Sequence, residues 1–228
     1  TSVIPVKIFN PVSAIETIRN AGSFDVWIDA GQWQRITAVY THFARAKWKI
    51  GFRAEGQGRH FAYDWQVPHL KTVHELENYR NLVRNLGVLE FANPKLQRQS
   101  LSEPKKVVIH AFAGGSKPYL KEWPLEYWVE VINSLLKDDH SISLTGTRGD
   151  QETAEKIRRQ TSDPQKVTVV AGHFSLTETI EELEKASCVI SVNTGILHVA
   201  AALGVRTIGL HGPTSVLRWG PVGENVLG

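Results

Sequence analysis

Methionine is absent from the 228 residues and cysteine occurs once, at Cys188. A lone cysteine excludes an internal disulfide and a cysteine-based zinc cluster, and its place beside an apolar run reads as a core thiol. No block of like charge marks a nucleic-acid-binding tail: 26 basic against 23 acidic residues give +3, with a pI near 9.0. Nothing approaches the apolar length of a membrane span or the core of a signal peptide, and there is no internal repeat or low-complexity tract. A chain that opens on Thr1 and holds no methionine is expected to be a fragment, a processed form or a sequence from which modified methionines were dropped. What remains is an ordinary globular composition, 42% hydrophobic and 21% charged, long enough for one large or two small domains. The mild basic surplus suits an anionic small molecule or an anionic membrane surface.

The richest stretch runs from Cys188 to Gly223. Val189, Ile190 and Val192 form a short apolar run that Asn193-Thr194-Gly195 breaks with cap-forming residues, and Ile196 to Leu203 then reads as a helix closed by Gly204. Arg206 to Leu210 repeats the strand pattern and Gly212-Pro213-Thr214-Ser215 repeats the turn. Two successive strands thus end in loops suited to a ligand. In a parallel α/β sheet ligands sit outside the carboxyl ends of the strands, where unpaired N–H groups at helix starts favour anions. A phosphate-bearing ligand is the first inference.

The whole chain reads as two α/β halves. In the first, strands are expected over Val3 to Phe9, Phe24 to Asp29 and Lys49 to Phe52, with helices over Ser13 to Asn20, Gln34 to Arg45 and Val73 to Leu86. Residues 90–106 are polar, hold Pro94 and Pro104 and show no hydrophobic period, so a linker is expected over 96–105 between domains at 1–95 and 106–228. The second half then alternates strands (Lys106 to His110, Ser141 to Thr145, Lys166 to Val170) with helices (Pro124 to Lys137, Gln151 to Gln160, Thr177 to Lys185). That alternation predicts doubly wound parallel sheets.

Three blocks carry a family resemblance: Leu120-Lys121-Glu122-Trp123-Pro124-Leu125-Glu126-Tyr127-Trp128, then Leu144-Thr145-Gly146-Thr147, then Asn193 to Gly204 continuing to Gly212-Pro213-Thr214. In order and content they resemble the glycosyltransferases of family nine, the bacterial ADP-heptose:lipopolysaccharide heptosyltransferases. The likeness is specific in the second half; in the first it rests on Phe24 to Asp29, Ile50-Gly51-Phe52 and His74-Glu75. It implies two facing Rossmann-like domains of the GT-B type, the first incomplete at its N-terminus, with acceptor held mainly by the first and nucleotide-sugar by the second. Two departures stand out. Asn193 replaces the family's usual Asp, and the strand and Gly-Asp turn that carry the family's catalytic carboxylate have no counterpart ahead of Thr1, so the base is expected to lie outside the chain.

By position alone Lys121 reads as a solvated surface lysine; the resemblance makes it the cation that neutralises a leaving diphosphate. Gly114-Gly115-Ser116 offers backbone for close approach to phosphate or is simply a loop. Thr194 and Gly195 open a helix, giving an anion site, an ordinary cap or both. Asn193 as an amide both donates and accepts toward sugar hydroxyls. His198, on the first helical turn, reaches the same pocket or is satisfied in the core. Asp150 accepts from ribose hydroxyls or caps a helix, and Gly212 and Thr214 repeat the turn logic on the neighbouring strand. Trp219, beside Arg218, is the one tryptophan read as a cleft-lining residue. Asp25, Asp29 and Asp64 read as structural. His60, His69 and His74 lack metal-ligand spacing, so neither a metal nor a cofactor is expected.

The function these readings imply is metal-independent, inverting transfer of heptose from an ADP-sugar donor to a lipid-linked oligosaccharide acceptor of the lipopolysaccharide inner core. It would take place in the cytoplasm, with peripheral contact at an anionic inner membrane and no nucleic-acid partner. Two other classes stay open: a non-catalytic nucleotide-sugar-binding paralogue and a nucleotide-sugar epimerase.

Overall fold

The computed structural model describes residues 2–32, 34–99, 103–115 and 117–228. It divides into two compact units, Thr1–Phe91 and Ala92–Gly228.

The first unit runs α1 (Pro11–Asn20), β1 (Ser23–Asp29), α2 (Arg35–Phe43), β2 (Arg45–Arg53), β3 (Trp65–Pro68) and α3 (Glu75–Arg84). Its three strands pair in parallel in the order β1-β2-β3. Helix α1 starts where the sequence supplies a cap: Asn10 Oδ1 accepts from the Ser13 N–H at 3.2 Å, and Pro11 occupies the first turn, where its missing N–H costs nothing. Alternation along β2 sends Ile50 and Phe52 into a core with Val67 and Leu82, while Ala14, Ile18, Tyr40 and Ala44 close a second core between α1 and α2. The Tyr63 ring lies where a side chain on Gly51 would be, 2.3 Å from an added Cβ, so this strand position accepts glycine alone.

Asp29 ends β1 and is buried, and four donors hold its carboxylate. Oδ1 accepts from the Gly31 N–H at 2.8 Å, and Oδ2 accepts from Arg59 Nη2 at 2.9 Å, Thr37 Oγ1 at 2.9 Å and Tyr63 Oη at 2.6 Å. Arg59 and Asp29 form an ion pair whose side chains are 0% and 5% exposed. Burial pushes the Tyr63 phenol above its ordinary range, and the Asp29 carboxylate pushes it further. These contacts match the structural reading of Asp29, although it sits at the carboxyl end of its strand.

Several first-half expectations need correction. Residues 2–7 form no strand; Pro5 has no N–H to give a ladder, and Val3 and Phe9 are 91% and 96% exposed. β2 reaches back to Arg45 rather than starting at Lys49, because β1 supplies partners from Ser23 onward. β3 was not expected: only four residues long, it ends on a proline and carries polar Gln66.

The second unit runs β4 (Lys106–His110), α4 (Leu125–Lys137), β5 (Ser141–Leu144), α5 (Gln151–Gln160), β6 (Val167–Val169), α6 (Leu176–Lys185), β7 (Cys188–Val192), α7 (Gly195–Ala202), β8 (Thr207–Leu210), a one-turn α8 (Val216–Trp219) and β9 (Val226–Leu227). The sheet order is β6-β5-β4-β7-β8-β9 and every pairing is parallel. Val107, Ile109, Ile142, Leu144, Ile190 and Val192 face a core built with Trp128, Ile132 and Leu136 of α4. Val108 and Val189 face the other way, against Leu183 of α6, Ala200 of α7 and Leu203 just after it. Cys188 is half-buried against the first of these cores, and burial pushes its thiol pKa up.

The described part of 96–105 is not a free linker but a strap on the second unit. The Leu96 N–H donates to Ala202 O at 2.8 Å, Glu103 N–H to Lys185 O at 2.7 Å, and Arg98 Nε to Glu184 O at 2.8 Å. The unit boundary falls at 91/92 instead, where Arg80 and Arg84 lie over the Phe91 ring at 5.6 and 5.4 Å. Among the described residues no helix is long and apolar enough to cross a membrane.

Replacing Asp29 with alanine leaves Arg59 a buried, unpaired cation, and the expected loss is about 3–5 kcal/mol of stability. Urea unfolding of the variant measures it; a loss below about 1 kcal/mol would remove this network from the account of the first unit.

Candidate functional site

The second sheet reverses direction at β4. From β4 the chain adds β5 and then β6 on one side, then crosses to place β7 on the other, so the loops after β4 and β7 diverge from neighbouring strands. That divergence leaves a crevice at the carboxyl ends, where parallel sheets hold ligands.

The loop after β7 carries Asn193 and Thr194. Thr194 occupies the position before α7 in extended backbone, φ −142 and ψ 175, but its hydroxyl makes no capping bond. Instead Oγ1 is buried without a hydrogen-bond partner. Nothing lies within 4 Å of where a Cβ on Gly195 would be, so the first turn of α7 faces open space. A helix start with unpaired N–H groups, open space before it and an unsatisfied hydroxyl beside it has the chemistry of an anion site.

Asn193 ties this loop to the next one. Its N–H donates to Leu210 O at 3.0 Å, and its Nδ2 donates to Thr214 Oγ1 at 2.8 Å. The Gly212 turn in turn abuts the lysine loop: a Cβ on Gly212 would sit 2.5 Å from Leu120 O, so any other residue would push the two loops apart. Lys121 follows directly. Its Nζ donates to Gly114 O at 2.9 Å, while Glu122 Oε1 accepts from the Ala113 N–H at 2.8 Å, so two adjacent residues hold the glycine loop from both sides. An ammonium carries three N–H groups, and among the described residues only Gly114 O takes one. A continuous run of contacts therefore joins Gly114, Lys121, Gly212, Thr214, Asn193 and Thr194.

Other expected residues stand differently. Ser116 lies outside the described residues. Gly114 and Gly115 have nothing within 4 Å of an added Cβ and leave the loop open. Asp150 Oδ2 accepts from both the Thr147 N–H and its hydroxyl at 2.7 Å, which is the capping reading of that residue. His198 is exposed on the first turn of α7. The Arg218 guanidinium lies 5.1 Å over the Trp219 ring, which makes Trp219 a partly buried platform rather than a bare one. Among the described residues no three histidine, cysteine or acidic side chains group as metal ligands.

The first unit has an open cavity of about 630 Å³ at the carboxyl ends of β2 and β3, where Arg53, Glu55, His60 and His69 stand among apolar surface from Ala54 and Pro68. His69 Nε2 and Glu75 Oε1 pair at 2.6 Å behind it.

The family model of glycosyltransferase family 9 (heptosyltransferase) matches residues 13–228. Lipooligosaccharide heptosyltransferase 2 of Haemophilus influenzae is 25% identical over 123 residues, covering 53% of this chain and 36% of that protein. Lipopolysaccharide heptosyltransferase 3 of Escherichia coli is 25% identical over 238 residues, covering 97% of this chain and 68% of that protein. The chain thus spans between about a third and two thirds of these relatives' length. The solved structure of E. coli heptosyltransferase WaaC with ADP-2-deoxy-2-fluoro heptose superposes with a TM-score of 0.74 at 25% identity, covering 100% of this chain and 76% of that one.

Two histidines escaped the sequence reading because each ends an apolar strand. His211, after β8, keeps both ring nitrogens buried without partners, and burial holds its pKa down. His110 ends β4 with Nδ1 2.9 Å from Thr145 Oγ1; burial holds its pKa down to about 4, and the negative charge of Asp150 pulls it only partly back. The unfolded chain binds a proton at this residue below about pH 6.5, whereas the folded chain resists it until about pH 4. His110 stability is thus fully present above pH 6.5 and is lost as pH falls through that window. Urea unfolding at pH 7 and pH 4.5 is expected to show wild type losing roughly 2 kcal/mol more than His110→Gln across that interval. Parallel losses in the two proteins would contradict the buried neutral histidine.

Proposed function

The chain belongs to glycosyltransferase family 9, the heptosyltransferase family, and from that premise we propose that it transfers heptose from an ADP-linked donor to a lipopolysaccharide inner-core acceptor, inverting the anomeric centre. The observation that carries the donor half of this reading is the buried, partnerless Thr194 hydroxyl at the open start of α7. The diphosphate lies there, within the field of the helix start, and Lys121 faces it from the loop that Gly212 admits. As the bond between the anomeric carbon and the diphosphate oxygen breaks, negative charge builds on that oxygen. Groups fixed in place beforehand stabilise it without having to reorganise. The acceptor hydroxyl attacks from the opposite face, and its proton passes to a base. Asp29 is not that base: its carboxylate already takes four hydrogen bonds in the first unit.

The acceptor belongs to the first unit on this reading, where the cavity holding Arg53 and His60 offers cationic and hydrogen-bonding groups to an anionic oligosaccharide. A lipid-linked acceptor places the reaction at the cytoplasmic face of an anionic membrane. WaaC supports the donor assignment, since its solved structure contains an ADP-heptose analogue and superposes over this whole chain.

Isothermal calorimetry tests the donor site. Lys121→Ala is expected to weaken ADP-heptose binding by about 1–3 kcal/mol, the range for a charge-assisted hydrogen bond; unchanged affinity would remove Lys121 from the site. With the catalytic base present, a protein that binds the donor but never turns it over is the non-catalytic paralogue instead.

Asn193→Asp reverses the contact with Thr214, which then donates to the carboxylate, and adds a negative charge beside the diphosphate. Transfer rate or sugar preference is expected to change while inhibition by free ADP stays nearly constant. If ADP inhibition moves as far as transfer does, Asn193 serves the phosphates or the turn rather than the sugar.

A further inference from the structure

His110 is a half-buried polar side chain at the carboxyl end of β4, where the strand order reverses, and no step described above uses it. Its Cα pairs with Ser191 across the β4–β7 ladder, three residues before Thr194. Side chains alternate along a strand, so His110 shares a face with Val108, and Ser191 shares that face with Val189. Val108 and Val189 pack against α6 and α7. The imidazole therefore stands on the α7 side of the sheet, beside the strand whose loop leads into the α7 start.

His110 Nδ1 lies 2.9 Å from Thr145 Oγ1, and that hydroxyl also reaches Ile109 O at 3.4 Å. With the hydroxyl proton directed at Ile109 O, Nδ1 carries the ring proton and Nε2 is bare. Burial keeps the ring neutral, and among the described residues the Asp150 carboxylate is the charge that acts on it. A bare imidazole nitrogen accepts hydrogen bonds but repels phosphate oxygens, which have only lone pairs to offer at neutral pH. Its complement in a nucleotide-sugar is a hydroxyl.

We propose that His110, held as its Nδ1–H tautomer, is a donor-recognition residue whose Nε2 accepts a hydrogen bond from a hydroxyl on a sugar ring flanking the diphosphate. The proposal rests on the donor-site reading given above. It adds to the anion-binding helix start a contact that a diphosphate alone does not satisfy. Either ring next to the diphosphate, the ribose or the transferred sugar, has the required chemistry.

Calorimetry on the whole chain separates the two sources. His110→Asn keeps a donor near the Nδ1 position for Thr145 and loses the Nε2 acceptor, whereas His110→Gln restores an acceptor at longer reach. His110→Asn is expected to bind ADP-heptose about three- to tenfold more weakly, the range for one neutral hydrogen bond, with His110→Gln recovering much of the loss. If ADP binds His110→Asn as it binds wild type, the hydroxyl is on the transferred sugar. If ADP binding falls equally, and 2′-deoxy- or 3′-deoxy-ADP no longer distinguishes the two proteins, it is on the ribose. Unchanged affinity of His110→Asn for both ADP and ADP-heptose overturns the proposal.

A measurement on the wild-type chain guards against a variant that misfolds. Nitrogen-15 NMR of labelled histidine is expected to show His110 as the Nδ1–H tautomer, with its Nε2 resonance shifting on saturation with ADP-heptose. An imidazolium, an Nε2–H tautomer or an unmoved resonance in the saturated protein overturns the proposal while leaving the donor site intact. A wild-type chain that binds neither ADP nor ADP-heptose overturns the donor site and this contact together.

Discussion

A parallel sheet satisfies its backbone sideways and leaves its strand ends to the loops, so the point where strand order reverses dictates where polar backbone and ligand can meet. In the second unit that point is the β4–β7 boundary. Everything assigned to the donor site follows from it. The chain crosses the sheet there, α7 starts beside it with its N–H groups facing outward, and the loops after β4 and β8 close around the same end. Gly212 is the steric condition for this arrangement, because only a residue without a Cβ lets the Thr214 turn lie against Leu120 and bring Lys121 alongside.

Buried polarity takes a different form in each unit. Around Asp29 the first unit satisfies the carboxylate with an ion pair, a phenol, a hydroxyl and a backbone amide, while Nε and Nη1 of its partner Arg59 stay buried without hydrogen bonds. Around Thr194 the second unit leaves a buried hydroxyl without a partner. An unpaired buried polar group costs roughly 1–3 kcal/mol, a cost that a bound anion or hydroxyl offsets.

Much of this was legible in the sequence, and the parts that were not share a cause. The alternation of apolar runs with capped helices gave the parallel sheets, and Asn193-Thr194-Gly195 followed by small apolar residues marked the α7 start before any geometry was known. Local signals failed where tertiary pairing decides. β3 is four residues long and acquires its strand character only from β2, and the strap over 96–99 and 103 reads as polar loop because its hydrogen-bond partners lie near residues 184–202. Glu122 takes its role from the fold, because only the returning loop brings it the Ala113 N–H. His110 was invisible for a similar reason. In the sequence it merely ends a strand, and only the register against Thr145 and Ser191 turns it into an oriented hydrogen-bonding group.

The central claim is that a nucleotide diphosphate sits at the start of α7, between the loops after β4 and β8. Amide hydrogen exchange read by mass spectrometry, with and without ADP, addresses that placement without altering a residue. The account predicts slowed exchange in peptides covering 112–115, 194–197 and 212–215, with the first unit's exchange unchanged. Slowed exchange confined to the first unit, or none at the α7 start under saturating ADP, would contradict it.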